Sequence, residues 1–245
     1  MINLTIVDSV LILFLLAGAV LGFKKGAIRS LVALVGLIAL VVISYYLKNP
    51  VAEIFFKYAP FVNFKGSWDG LQTMNILLYE GIAYILVFTV LSSILSLIVK
   101  ISGIMERVLA ATIILGIPSK IIGAVLGFLE AIVLSFIILF VLLQFNTTSE
   151  MVSESSLANS IVDKTPIIGT MVNNTYQAIQ DINALKDKYA KNMNKDAYNG
   201  EILSIMLEYE VITTDSTQKL INDKKLTFAG AQNILDSFKE NNQND

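Results

Sequence analysis

Cysteine and histidine are both absent from this chain, and each absence removes a class of chemistry. Without cysteine there is no disulfide framework, thiol nucleophile or thiolate metal site. Without histidine there is no Ser-His-Asp or Cys-His arrangement and no imidazole-ligated zinc. Carboxylates, lysine, tyrosine and serine remain for catalysis, and no GxxxxGK[ST] phosphate loop accompanies them, which argues against an ATP-driven function within this chain. No catalytic residue, cofactor or metal is therefore expected. Charge is scarce as well. Charged residues make up 16% of the chain, well below the roughly 25% of soluble domains, and a mean hydropathy of +0.67 points to lipid. The formal net charge of -2 speaks against a nucleic-acid partner, which demands a clustered basic surface.

What is present is a set of long apolar runs joined by short basic turns. Ser9 to Phe23 and Ser30 to Leu47 carry no charge, so Lys24, Lys25 and Arg29 form a cationic island between them. This is the pattern of a membrane hairpin, and Lys and Arg beside short loops are retained on the cytoplasmic side. A spanning helix needs roughly 20 apolar residues. Four runs meet that length, at about 4–23, 28–47, 76–99 and 121–145. The expected fold class is therefore all-α: a polytopic membrane protein of about four spans with a helical, soluble C-terminal tail. The segment MINLTIVDS has no cation before the first apolar run, so a cleaved secretory signal is not expected.

Between the second and third spans, Asn49 reads as a helix cap and Pro50 suits a first turn. Val51, Ile54, Phe55 and Tyr58 then recur at helical spacing, predicting a separate amphipathic helix over about 50–58, either interfacial or packed in a loop. The apolar stretch Val108 to Ile117 is too short to span; it reads as a re-entrant or interfacial helix, or as part of a longer fourth span. Gly116 and Pro118 favour a break before that span. From Asn146 the chain turns polar and acidic: residues 146–245 carry nine Lys/Arg against fourteen Asp/Glu, whereas residues 1–145 carry nine against six. Helical periodicity from Thr165-Pro166 onward, around Glu201 to Tyr209 and from Phe228 to Lys239 with Thr227 as cap, predicts a helical tail over 146–245. It reads either as a small domain or as helices lying over the membrane portion, and the final ENNQND as disordered.

Two kinds of residue stand out. Gly18, Gly22 and Gly26, and again Gly123 and Gly127, repeat the small-xxx-small spacing that lets spans approach closely; they predict contact between the first and fourth spans. Ionisable groups within spans are functional candidates, here Asp8, Glu80 and Glu130. Asp8 reads as a helix cap and Glu80 as interfacial. Glu130 lies about ten residues beyond Lys120, roughly 15 Å along a helix, near mid-bilayer. No basic residue sits at matching depth in the other spans, so an intramembrane ion pair is not expected. In the tail, Glu208 and Glu210 are two apart and share no helix face.

Charge orients the hairpins. Lys24, Lys25 and Arg29 follow span one, and Lys100, Arg107 and Lys120 follow span three, while Lys48, Lys57 and Lys65 are spread more widely over the middle loop. With no cation before span one, the N-terminus is expected outside, and an even number of spans places the tail outside too.

These motifs resemble a known family. Asp8 in TIVDSVLILF, the Gly22-Phe-Lys-Lys-Gly26 joint, PSKIIGAVLGFLEAIVLSFIIL and SSLANSIVDKTP are similar, in order and spacing, to the colicin V production protein family (CvpA) over about residues 1–165. Glu130-Ala131 departs from it, since members often have a basic residue and Gly there. The resemblance implies a non-enzymatic bacterial inner-membrane protein, linked to production or export of a secreted toxin or to envelope maintenance. The division expected is a CvpA-like membrane domain at 1–145 and an extracytoplasmic tail at 146–245. Related architectures carry an extracytoplasmic serine protease after the same helices; this tail lacks the histidine for that chemistry. The expected partners are the lipid bilayer and either a second copy or an envelope protein. The alternative is a small transporter or channel component using Glu130.

Overall fold

A computed structural model describes residues 5–110, 116–143, 146–164, 168–189 and 194–241. Every regular element among them is helical: α1 (Ile6–Lys25), α2 (Ala27–Tyr58), a 3-10 turn (Gly66–Trp68), α3 (Met74–Ala110), α4 (Gly116–Leu143), α5 (Asn146–Ser153), α6 (Ser156–Lys164), α7 (Ile168–Tyr189), α8 (Lys195–Glu208), α9 (Thr214–Asn222) and α10 (Ala231–Asn241). Four of them, Ile6–Lys25, Ala27–Tyr58, Met74–Ile104 and Ile117–Leu143, are long and apolar enough to cross a membrane. The chain is an all-α polytopic membrane protein. The chain before Thr5, the joint at 111–115, the expected helix start at Thr165-Pro166 and the end of the ENNQND segment at 242–245 lie outside the described residues.

Contacts gather the chain into two compact units, 1–43 with 88–170 and 44–87 with 171–245. This cuts across the expected division at 145/146. The tail from 171 onward builds its unit together with the connection between spans two and three. In the first unit α1 begins at a capping box: the Asp8 backbone N–H donates to the Thr5 hydroxyl, and the Thr5 N–H donates back to the Asp8 carboxylate. α1 ends at Gly26, whose φ of +84° is open to glycine and strained for other residues. That single residue separates α1 from α2, so the hairpin turn is as short as the sequence allows. Pro118 falls in the first turn of α4, where its missing N–H has no intrahelical partner to lose.

The second unit corrects the expected separate helix at 50–58. α2 continues through Pro50 to Tyr58. An interior proline removes one backbone hydrogen bond and costs about 3 kcal/mol. Opposing that cost, Ala52 and Phe56 are buried in the core of the unit. Phe55 stacks on Tyr79 at 5.9 Å and Phe56 meets its edge at 6.2 Å. Around them pack Leu71 from the α2–α3 connection and Ile76 and Ala83 from the start of α3, with Ala178, Ile182, Ile202, Leu203, Met206 and Leu220 from the tail. The carboxamide of Asn75 clips the loop by accepting from the Val62 N–H at 2.6 Å and donating to the Val62 carbonyl at 3.1 Å. Buried Asn199 of α8 accepts from both the N–H and the hydroxyl of Thr73.

The tail helices differ in detail from their sequence pattern. α8 starts at Lys195 with Asn194 as cap, and α9 is capped by Thr213; neither cap stands out in the periodicity. α10 starts at Ala231 instead of Phe228, because Thr227 does not cap it: the Thr227 N–H donates to Gln72 Oε1 and its hydroxyl accepts from Gln72 Nε2. Tyr189, buried in the core of this unit, donates its hydroxyl to the Glu201 carboxylate at 2.8 Å, and burial together with this bond pushes the phenol pKa up to about 12.

Candidate functional site

The first unit is held by a backbone seam. A Cβ on Gly22 would lie 2.7 Å from the Gly127 Cα, one on Gly127 would lie 2.6 Å from the Gly22 Cα, and one on Gly123 would lie 2.5 Å from the Gly22 carbonyl oxygen. Gly18 faces Gly127 and Ala131, and Gly26 faces Gly123. The pairing runs antiparallel, with rising numbers on α1 opposite falling numbers on α4. Lipid supplies no hydrophobic force between helices, so dispersion at this short range does the packing. At the joint the Ala27 N–H donates to Ser119 Oγ at 2.9 Å, giving α2 a side-chain acceptor at its first residue.

Against the expectation of no intramembrane ion pair, Lys25 Nζ reaches both carboxylate oxygens of Glu130, at 2.9 and 3.1 Å. The two side chains are 25% and 18% exposed, which leaves the pair half-buried. Lys25 is the last residue of α1, while Glu130 lies in the middle of α4. Both Cα–Cβ bonds tilt toward their own helix N-terminus. In antiparallel helices those tilts converge, and depth along the helix axis alone misses this.

Asp8 does more than cap α1. Its Oδ2 accepts from the Thr5 N–H and hydroxyl at 2.9 and 2.8 Å, and its Oδ1 accepts from the Ser155 hydroxyl at 2.6 Å and the Leu157 N–H at 3.0 Å. The Ser155 hydroxyl accepts in turn from the Ala158 N–H. One carboxylate thus serves the N-termini of α1 and α6, where helix dipoles favour negative charge. Asp8 is 3% exposed with four donors, and this satisfies a charge that burial otherwise penalises.

In the second unit Glu80 is buried in the protein. It accepts from Lys48 Nζ at 2.6 Å, and that ammonium also donates to Asn49 Oδ1 at 2.8 Å and the Val211 carbonyl at 3.1 Å. Lys48 and Glu80 are 6% and 5% exposed. By sequence Lys48 is a loop cation and nothing marks Val211, while Ser119 and Ser155 lie within the family-like motifs without a sign of their partners; Ser155-Ser156 ahead of LANSIV is a helix-start composition. Nearby, Glu53 accepts from Ser216 and Lys219 at 2.9 and 2.8 Å.

The remaining expected residues are cations. Lys24, Lys100 and Lys120 are exposed, and Lys120 Nζ lies 5.8 Å from the Phe23 ring centroid. Arg29 lies against Gly103, where a Cβ would come within 3.2 Å of the arginine Cδ. Arg107 belongs to α3, with its side chain outside those described. No group of three or more Asp or Glu that could hold a metal ion occurs among the described residues.

A family model described as colicin V production protein matches residues 7–166. The chain is also similar to an uncharacterized transmembrane protein, YshB, of Bacillus subtilis (strain 168): 27% identity over 172 residues, covering 67% of this chain and 94% of that protein. No solved structure matches. The family match takes in Asp8, both sides of the glycine seam, Lys25, Lys48, Glu80, Glu130 and Ser155, and it ends before α7.

Two outcomes test this arrangement. Gly22→Leu and Gly127→Leu each overpack the seam by about 1–3 kcal/mol or more, so the melting temperature in detergent falls by roughly 2–10 °C; unchanged melting in both variants contradicts the contact. Lys25→Met leaves Glu130 unpaired, and the double variant Lys25→Met/Glu130→Gln removes that penalty. The single variant should melt lower than the double one, and equal or reversed melting shows that the pair is energetically idle.

Proposed function

Because the chain belongs to the colicin V production protein family, we propose that it is a non-enzymatic scaffold of the bacterial cell membrane, serving toxin production or export or envelope maintenance. The observation that carries this reading is the mutual pairing of its intramembrane polar groups. Asp8 has four donors, Glu130 has Lys25 on both oxygens, and Glu80 has Lys48. Groups engaged in this way hold helices together and are not presented to a substrate. Its partners on this reading are the bilayer and either a second copy or another envelope protein.

The transporter alternative assigns Glu130 to a moving ion or proton. The two readings differ in what a charge exchange does. If Glu130 is structural, Lys25→Glu/Glu130→Lys retains the ion pair and complements a deletion strain under envelope stress, while Glu130→Lys alone does not. A swapped protein that is stable and assembled yet fails to complement overturns the scaffold reading in favour of transport.

We place both termini outside the cytoplasm. In the first unit the α1–α2 joint, the start of α4 and Gly103 of α3 meet through Ala27–Ser119, Lys120–Phe23 and Arg29–Gly103. This collects Lys24, Lys25, Arg29, Lys100 and Lys120 at one end, whereas Asp8 caps the other. Lys48, which weakened the sequence argument as a middle-loop cation, is taken up by Glu80. The positive-inside rule then puts the basic end in the cytoplasm. A reporter active only in the cytoplasm, fused after Asp245, should be silent, and one active only outside should read strongly; the opposite result inverts the topology.

A further inference from the structure

We infer that the basic end of the first unit is a binding site for the phosphate headgroup of acidic phospholipids, with Lys24, Lys100 and Lys120 as its contacts. These three lysines are exposed, and none takes part in an ion pair among the described residues. Lys25, by contrast, is consumed by Glu130.

The surroundings of the lysines select a lipid over a soluble anion. Lys120 lies over the Phe23 ring, and beside it Phe23 is 44% and Ile121 57% exposed; next to Lys100, Ile101 is 61% exposed. Each ammonium therefore stands at the border of an apolar surface. Long cationic side chains lay their stems on such surfaces and hold their charge at the headgroup level. Anionic headgroups attract basic residues at this level by an amount that multiplies affinity roughly fivefold per lysine. A free phosphate meets the same charge but gains nothing from the aliphatic border. The inference is independent of the orientation proposed above, since the basic end meets one leaflet whichever way the chain sits.

The test uses the full chain in detergent, offered equal amounts of phosphatidylglycerol and phosphatidylcholine, with retained lipid counted by native mass spectrometry. Phosphatidylglycerol should be retained at least about tenfold over phosphatidylcholine, falling with added salt. Retention should drop roughly fivefold per substitution in the series Lys24→Gln, Lys120→Gln and Lys100→Gln, at unchanged melting temperature. Lys57→Gln/Lys65→Gln, which removes two charges from the other unit, should leave it intact. Equal retention of the two lipids, an unaffected triple variant, or an equal loss in the Lys57/Lys65 control each overturns the site. Stabilisation by glycerol phosphate as large as by phosphatidylglycerol assigns the lysines to a soluble anion and overturns the lipid reading.

Discussion

The close approach of α1 to α4 is the constraint on which the rest of the first unit depends. Between two helices in lipid the attraction is dispersion, which falls steeply with distance, so contact has to come at backbone range. Gly18, Gly22, Gly123 and Gly127 provide it because each sits where a Cβ would strike the opposing main chain. The consequences extend along both helices. Gly26 opposite Gly123 fixes the register, and Glu130 lies seven residues beyond Gly123, roughly 10 Å along the axis. Over that interval Lys25 and Glu130 converge, each tilting toward its own N-terminus. At the far end the same register leaves Asp8 beside Ser155 and Leu157.

Each ionisable group inside a span is costly alone, and the chain meets the cost in three different ways. Asp8 is satisfied by neutral donors, two of them backbone N–H groups at helix starts. Glu130 is satisfied by a cation drawn in from a helix end. Glu80 is satisfied by a buried cation whose own remaining protons go to Asn49 and Val211. A polar residue within an apolar run is thus compatible with function and with architecture alike, and here its partners point to architecture.

Local features were legible in the sequence and distant pairings were not. The spans follow from apolar runs, the glycine seam from four-residue spacing, and the role of Asp8 at the start of α1 from its place at the head of the first apolar run, because each depends on neighbours along one helix. The partner of Glu130 is 105 residues away and the second role of Asp8 joins it to a residue 147 positions on; no periodicity encodes either. Pro50 misled for a related reason. Proline and asparagine together signal a helix start, but burial of Ala52 and Phe56 against a tail more than a hundred residues distant keeps α2 running through them. At Thr227 the cap was outcompeted by Gln72, again a partner that only the fold supplies.

The tail acquires its meaning from the same logic. The family match ends at residue 166, yet Lys48 and Glu80, both inside the match, are buried with the help of a carbonyl from Val211, outside it. An ammonium has three protons to place. Here Glu80, Asn49 and Val211 take one each, so the tail supplies the acceptor that the family portion lacks. The core of the unit is shared in the same way, with Phe56, Ile76 and Tyr79 packed among Ile182, Ile202 and Met206. α2 and α3 are continuous helices that begin or end in this core and carry on as membrane spans. The tail from residue 171 onward is therefore the packing partner of the end of α2 and the start of α3 within its own unit, and it holds them there as Gly22 and Gly127 hold α1 and α4.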